Sequence, residues 1–173
     1  MPKVGIVNQK EPWGRFFVKL LATTLVMACG AAYALARYDF GEDSQENRCL
    51  HPYKLFAIDR WDKDLAPGDY VAFHAAGMGP FFADGEVLIK QVVAVAGDEI
   101  EVRDGQVFIN GVFKYGGFQE AGLKGRPLES FNRKRVLQDG EYFVYAWHSL
   151  SYDSRYWGTV KSHQIVGETH ALM

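Results

Sequence analysis

The sequence predicts a mainly β protein, a distorted β-barrel domain that follows one N-terminal transmembrane helix. Many short apolar or alternating segments are separated by turns that contain glycine and aspartate. Helical periodicity is almost confined to the uncharged run from Leu20 to Ala36. No internal repeat is visible, so we expect a single domain of roughly 135 residues after that run.

The N-terminal apolar run has the length and the flanking charges of a membrane anchor. Phe16 to Ala36 would form about 31 Å of helix, which matches the thickness of a hydrocarbon core. Basic residues precede or enter the run: Lys3, Lys10, Arg15 and Lys19. We therefore expect a cytoplasmic tail at 1–14, a transmembrane anchor at 15–37 and a periplasmic domain at 38–173, in the inner membrane.

A cleaved signal peptide is the alternative interpretation of the same run. Ala34-Leu35-Ala36 has small residues at the spacing of a processing site, with cleavage after Ala36. The run is longer than a usual signal core, and a polar or mixed stretch precedes it, so a retained anchor is favoured.

The first half of the domain alternates strand and turn signals. Residues 38–48 are acidic and polar, and we expect them to be irregular. Tyr53–Ile58 is mostly apolar and aromatic, as in a strand. Turn residues at 66–69 precede a second predicted strand, Tyr70–His74. The apolar loop Met78–Ala83 would either enter a membrane interface or pack on the core.

The strongest hairpin signal lies in the second half. Glu99–Arg103 alternates apolar and charged residues, and Val107–Ile109 then meets Val112–Phe113 across Asn110-Gly111. Residues 115–136 are glycine-rich and basic, and we expect a long surface excursion there. Two further strands are predicted: Tyr142–Ala146 and Gln164–Gly167.

The apolar strand Leu88–Asp98 contains one lysine, Lys90. Both faces of the strand are otherwise mostly apolar, as in a central strand, and a buried ammonium is costly unless it is paired or neutralised. A neutral lysine can act as a general base. Alternatively, Lys90 lies on a solvated face and its stem covers apolar surface.

Three stretches together resemble bacterial signal peptidase I, the serine/lysine leader peptidase family. Cys49-Leu50-His51-Pro52 stands at the family's nucleophile box and Leu88–Asp98 at its lysine box. Asp153–Gly158 is close to verbatim the last box. The order of these boxes and the anchor also match, over roughly residues 15–173. The short chain resembles the branch that serves conjugative transfer and pilin processing.

The resemblance implies a role for each matched residue. Lys90 would be the general base, and Cys49 stands at the position of the nucleophile. Ser151 matches the hydroxyl that orients the lysine, and Asn47 is a candidate oxyanion donor beside the amide of residue 49. A structural ion pair would lie under the site: Asp153 and Arg155.

The activity implied is that of a membrane-anchored endopeptidase that cuts signal peptides or pilin precursors after a small residue. The substrate would add a strand to an apolar groove lined by Tyr53, Leu55 and Val92. Plain core packing is the alternative for these three side chains. The expected partners are the exported precursor, inner-membrane lipid and proteins of a conjugation or secretion apparatus.

Four departures separate this chain from the family pattern. Cys49 replaces the serine nucleophile, Gln91 replaces an arginine, and Ala96 replaces a proline. Tyr145-Ala146-Trp147 stands where the family has Gly-Asp-Asn. A thiol is more acidic than a hydroxyl, and a nearby lysine favours the thiolate, so a thiol-sensitive enzyme is expected.

Two replacements for the catalytic pair stay open, Ser44 as nucleophile and His148 as base. The chain has one other cysteine, Cys29, within the apolar run, so Cys49 has no obvious disulfide partner and is otherwise a small buried hydrophobe.

A catalytically inactive scaffold protein of a conjugation apparatus is the competing hypothesis for the whole chain. A self-cleaving repressor is disfavoured because an anchor stands where such a protein has its DNA-binding segment. The net charge of −2 also argues against nucleic-acid binding. Neither a cofactor nor a metal is expected.

Overall fold

The computed structural model describes residues 12–43, 49–50, 52–148 and 150–172. It separates into an N-terminal unit that ends at Arg37 and a second unit that begins at Tyr38. The second unit is built almost wholly from antiparallel strands, which confirms the mainly β prediction.

The N-terminal unit contains helix α1, Trp13–Arg37, of 25 residues. The helix begins just after Pro12, a position at which proline is tolerated because no helical hydrogen bond needs its amide. The carbonyl of Pro12 accepts from the Arg15 amide at 2.9 Å. Its length and hydropathy are sufficient to cross a membrane, and a signal sequence would pass the same test.

A seven-stranded antiparallel sheet forms the larger part of the second unit, in the order β1-β2-β11-β3-β4-β9-β10. Its strands are β1 (Tyr38–Glu42), β2 (Leu55–Asp59), β3 (Tyr70–His74), β4 (Val87–Ala94), β9 (Glu141–Tyr145), β10 (Val160–Lys161) and β11 (Ile165–Ala171). β11 is longer than the last strand that the sequence predicted, Gln164–Gly167.

A four-stranded sheet forms the rest, in the order β7-β6-β5-β8. Its strands are β5 (Glu99–Arg103), β6 (Gln106–Ile109), β7 (Val112–Gly116) and β8 (Arg133–Val136). The predicted hairpin is confirmed, because Asn110 and Gly111 both have positive φ, 52° and 76°, as its two-residue turn requires.

Short helices complete the domain: α2 (Glu120–Leu123), α3 (Ser154–Trp157) and two 3₁₀ turns, Leu128–Phe131 and Ser162–Gln164. The hydrophobic core has a part beneath each sheet. Ala94 of β4 and Phe143 of β9 belong to the large sheet but pack in the core of the small one, so the two sheets share buried surface.

Two edge strands lie in segments for which the sequence did not predict strands: 38–48, expected to be irregular, and 115–136, expected to be a surface excursion. Tyr38–Glu42 pairs with β2 over five residues, and Arg133–Val136 pairs with β5 over four. Both strands are largely exposed, so neither shows the apolar alternation by which strands are recognised. Charged side chains on an exposed edge are a common protection against unwanted pairing.

Candidate active site

The buried face of β4 carries Lys90. Alternation along the strand turns Leu88, Lys90 and Val92 inward, and Lys90 is only 2% exposed. Its Nζ donates to Ser151 Oγ at 3.1 Å. Lys90 therefore lies in the interior rather than on a solvated face, and a hydroxyl is its partner.

The backbone of Ser151 is held from two directions. Its amide donates to the carbonyl of His148 at 2.9 Å, and its carbonyl accepts from Arg155 Nη2 at 3.0 Å. Because Ser151 and Arg155 are both buried, these bonds compete little with water. The backbone that carries the Ser151 hydroxyl is therefore held in place beside Lys90.

Asp153 and Arg155 form a buried, bidentate ion pair two residues after Ser151. Arg155 Nε donates to Asp153 Oδ1 at 2.8 Å and Nη2 to Oδ2 at 3.0 Å. Burial alone would lower the pKa of Arg155, but the Asp153 carboxylate outweighs it and holds that pKa above its ordinary value. Asp153 also caps α3, since it accepts from the Arg155 amide.

A cavity of about 330 Å³ opens beside Lys90. Cys49 also lines it, half-buried against a small cluster that contains Leu50, Phe56 and Ala146. Four carboxylates belong to its lining: Asp39, Glu42, Asp43 and Glu86. The apolar part of the lining comes from Phe40, Leu50, Phe56, Ile58, Phe82, Val87, Leu88 and Ile89.

The cavity lies between strand edges that the curled sheet brings together. β4 pairs with β3 from Val87 onward, but its pairing with β9 begins only at Gln91. Residues 87–90 thus have one edge without a strand partner in the described part of the chain. A Cβ built on Gly41 of β1 would lie 3.3 Å from Ile89 Cδ1, so β1 approaches that stretch of β4.

None of the three residues predicted to line the substrate groove is part of the lining of this cavity. Val92 is fully buried in the core. Tyr53 packs edge-on against Phe56 and Tyr70, with ring centroids 6.4 and 6.0 Å apart. Leu55 is half-buried at the start of β2 and is not part of the cavity lining. Side chains from β1 and from the loop before β4 line the cavity instead.

Three further candidates are His148, Asn47 and Ser44. His148 Nδ1 accepts from the amide of Leu150 at 3.2 Å, and His148 does not line the cavity. Asn47 and Ser44 lie outside the described residues.

Aromatic packing occupies the stretch that departs from the family pattern. Tyr145 of β9 stacks on Tyr115 of β7, with centroids 4.0 Å apart. Trp147 Nε1 donates to Gln91 Oε1 at 3.1 Å, and Gln91 in turn donates to the Gly68 carbonyl at 2.9 Å. Gln91 therefore has a structural role in this chain, linking β4 to Trp147.

The sequence profile of the family described as signal peptidase, peptidase S26, matches residues 13–173. A match over nearly the whole chain, together with the mainly β domain, makes the protein a peptidase, a hydrolase. The chain belongs to the signal peptidase family, peptidase S26.

The chain is also similar in sequence to proteins that are named as signal or processing peptidases. "Probable signal peptidase I-2" of Synechocystis is 24% identical over 86% of this chain and 68% of its own length. "Signal peptidase I" of Leptolyngbya laminosa is 28% identical over 87% of this chain and 74% of its own. "Thylakoidal processing peptidase 1, chloroplastic" of Arabidopsis thaliana is 32% identical over 51% of this chain and 25% of its own.

A solved structure, a signal peptidase I from Enterococcus faecalis, is 24% identical with a TM-score of 0.40. That similarity covers 65% of this chain and 99% of the solved chain.

Proposed function

We propose that the protein is a membrane-anchored endopeptidase in which Cys49 attacks the scissile carbonyl and Lys90 is the general base. One observation carries the proposal: a buried lysine and the cysteine at the nucleophile position line the same cavity. A nucleophile and a base that line one cavity are the starting point for covalent catalysis, in which the base takes the proton of the nucleophile.

The proposed reaction proceeds through a thioester. Lys90 takes the thiol proton, the sulfur of Cys49 adds to the carbonyl carbon, and the amide of residue 49 stabilises the oxyanion. Lys90 then gives its proton to the leaving amine as the peptide bond breaks. Water hydrolyses the thioester with Lys90 again as base, and the free thiol returns. Ser151 keeps the amine aimed throughout.

The open strand edges support an extended substrate. A peptide that lies between β1 and residues 87–90 would hydrogen-bond to the unpaired edge of β4 and place its side chains on the apolar lining. Helix α1 would hold the enzyme at the inner membrane, with the domain in the periplasm. Precursors of exported proteins are the proposed substrates, and pilin precursors of a conjugative transfer system are the specific case.

Paired substitutions at Cys49 test this mechanism. Cys49→Ala should abolish cleavage of a candidate pilin precursor by the solubilised full-length protein, as should Lys90→Met. Cys49→Ser should retain measurable cleavage, because the same amine can deprotonate a hydroxyl. A thiol alkylator should inhibit the native protein and spare the serine variant. The cut is mapped by mass spectrometry of both products.

Cleavage by Cys49→Ala at the native rate would overturn the mechanism. The inactive-scaffold alternative predicts a different pattern, in which native protein and both Cys49 variants cleave nothing yet all support transfer in the host.

A further inference from the structure

The segment between β7 and β8 packs on the stretch 153–158. A Cβ built on Gly122 would lie 2.4 Å from Tyr156 Cε1, so the α2 backbone lies directly on that ring. The Gln119 amide donates to the Tyr156 hydroxyl at 2.7 Å. Helix α2 therefore has a defined position above Tyr156, which itself is buried.

Lys124 extends from the end of α2 to a different loop. Its Nζ donates to the carbonyl of Gly79 and lies 5.5 Å from the centroid of the Phe81 ring. The same nitrogen lies 5.0 Å from the centroid of the Tyr152 ring. The rings of Phe81 and Tyr152 are themselves 4.7 Å apart. One cation thus contacts a carbonyl and two aromatic faces at once.

These contacts join the loop 79–82 to the proposed active site. Phe82 is the next residue after Phe81 and lines the cavity beside Lys90. Its ring lies 6.5 Å from that of Tyr152, which directly follows Ser151. The position of the cavity wall therefore depends on how the tip of this loop is held.

Ser151 does not depend on Lys124 in the same way, because Arg155 fixes its carbonyl from the protein interior. At the base of the loop, the amide of Gly77 donates to Asp84 Oδ1 at 2.7 Å and Met78 is buried in the core. Lys124 contacts the part of the loop that follows Met78, at Gly79 and Phe81. Loss of Lys124 should therefore alter the cavity wall and leave the Lys90–Ser151 bond intact.

We propose that Lys124 is a positioning residue that fixes the loop 79–82 against Tyr152 and so holds Phe82 as a wall of the substrate cavity. This inference rests on the proposed function, since it treats that cavity as the peptide-binding site. It assigns a role in substrate binding to the segment between β7 and β8.

Hydrogen exchange tests the positioning without any substrate. In the full-length protein, Lys124→Met should speed amide exchange of residues 79–83 at least threefold, measured by mass spectrometry. Lys124→Arg should restore slow exchange, because guanidinium can make the same cation–π and carbonyl contacts. Lys114→Met, at an exposed lysine of β7, is the matched control and should change nothing. Equal exchange in Lys124→Met and native protein would overturn the proposal.

Kinetics test the consequence. With a fluorogenic peptide that carries an Ala-x-Ala site after an apolar stretch, Lys124→Met should raise KM about threefold to tenfold. The value of kcat should stay within about twofold, and its pH profile should not move. A fall in kcat with KM unchanged would overturn the assignment.

Binding separates this inference from the enzyme mechanism. In a Cys49→Ala background, Lys124→Met should weaken binding of the same peptide by the same factor, measured by fluorescence anisotropy. If native protein cleaves no peptide, the proposed function fails, while exchange and binding still decide the role of Lys124.

Discussion

Burial of Lys90 is costly, and the described contacts offset that cost only in part. Its amine is shielded from water, yet its described hydrogen-bond partner is the hydroxyl of Ser151 and not a carboxylate. A hydrophobic residue of similar size would fit a β-strand interior with less penalty. Ionisable groups held in this way are concentrated at functional sites.

Removing the Ser151 hydroxyl should impair catalysis more than folding. Ser151→Ala leaves the Lys90 amine without its described partner, so kcat/KM should fall about tenfold to a hundredfold. Ser154→Ala is the matched control, because Ser154 is equally buried but its Oγ accepts from the Val144 amide at 2.9 Å. That control should lower the free energy of unfolding more than activity. Native kcat/KM in Ser151→Ala would contradict the orienting role.

At the residue scale, alternation along one strand placed Lys90 on the same face as Leu88 and Val92, because period-two patterning is a local property, but it left open whether that face is buried or solvated. The position of Cys49 on the same cavity was predicted only through resemblance. Phe82 and Glu86 could not be predicted as lining residues, since their place depends on how the loop before β4 folds.

Among the secondary-structure elements, β1 and the first half of β4 define the cavity. β1 is an edge strand that hydrogen-bonds to β2, and a Cβ built on its Gly41 would lie 3.3 Å from Ile89 Cδ1. Glycine at this position lets the two elements approach across a narrow gap, because any side chain there would meet Ile89. The gap therefore depends on a missing side chain.

Adding a side chain at Gly41 should narrow that gap in proportion to its size. Gly41→Ala should raise KM modestly, because the new Cβ would press on Ile89 Cδ1 at 3.3 Å, and Gly41→Val should raise it further. Stability should change little, since valine favours a strand. Peptide-cleavage kinetics and thermal melts measure both effects.

A compensating change provides the control for Gly41. Ile89→Ala removes the atom that the new side chain meets, so the double variant Gly41→Val/Ile89→Ala should recover part of the lost affinity. Additive losses in the double variant would show that the two residues do not face each other across the substrate path.

Strands with a buried face were predictable from sequence, whereas the edge strands β1 and β8 were not, and the edge strand β7 was predicted only through its Asn110-Gly111 turn. β3 and β6 alternate or are apolar because one face packs on the core. β1 is held by backbone pairing to β2, and β8 by backbone pairing to β5. Backbone pairing does not require apolar side chains, so the composition of β1 and β8 does not indicate a strand. Alternation alone also could not separate Val92, which lies in the hydrophobic core, from Lys90, which lines the cavity on the same strand.

For the molecule as a whole, a single carboxylate helps to hold the two sheets together. Glu141 of β9 accepts from Lys161 of β10 and from Arg135 of β8, which belongs to the other sheet. The Gln138 amide donates to Glu141 Oε2 at 2.9 Å. Burial alone would raise the pKa of Glu141, but these donors outweigh it and lower the pKa to about 2.

That lowered pKa predicts an acid-dependent loss of stability. Because the folded pKa of Glu141 is about 2 and its ordinary value is 4.5, its contribution is complete above pH 4.5 and declines as pH falls towards 2. Glu141→Gln should lower the urea midpoint at pH 7 and converge with the native protein near pH 2.

Glu129→Gln, at an exposed carboxylate in the 3₁₀ turn Leu128–Phe131, is the control and should leave the pH dependence unchanged. If Glu141→Gln and the native protein differed by the same amount at every pH, the bridge between sheets would not explain acid sensitivity.

The register of β4 has a consequence for how this chain tolerates insertions and deletions. Removing one residue ahead of Lys90 would turn the amine to the opposite side of the sheet and bring Ile89 inward, because side chains alternate at every step. Extra residues at the Asn110-Gly111 tip would shift nothing that lies inside. Length changes should therefore be accepted at that tip and rejected in β4, even when every remaining amino acid is preserved.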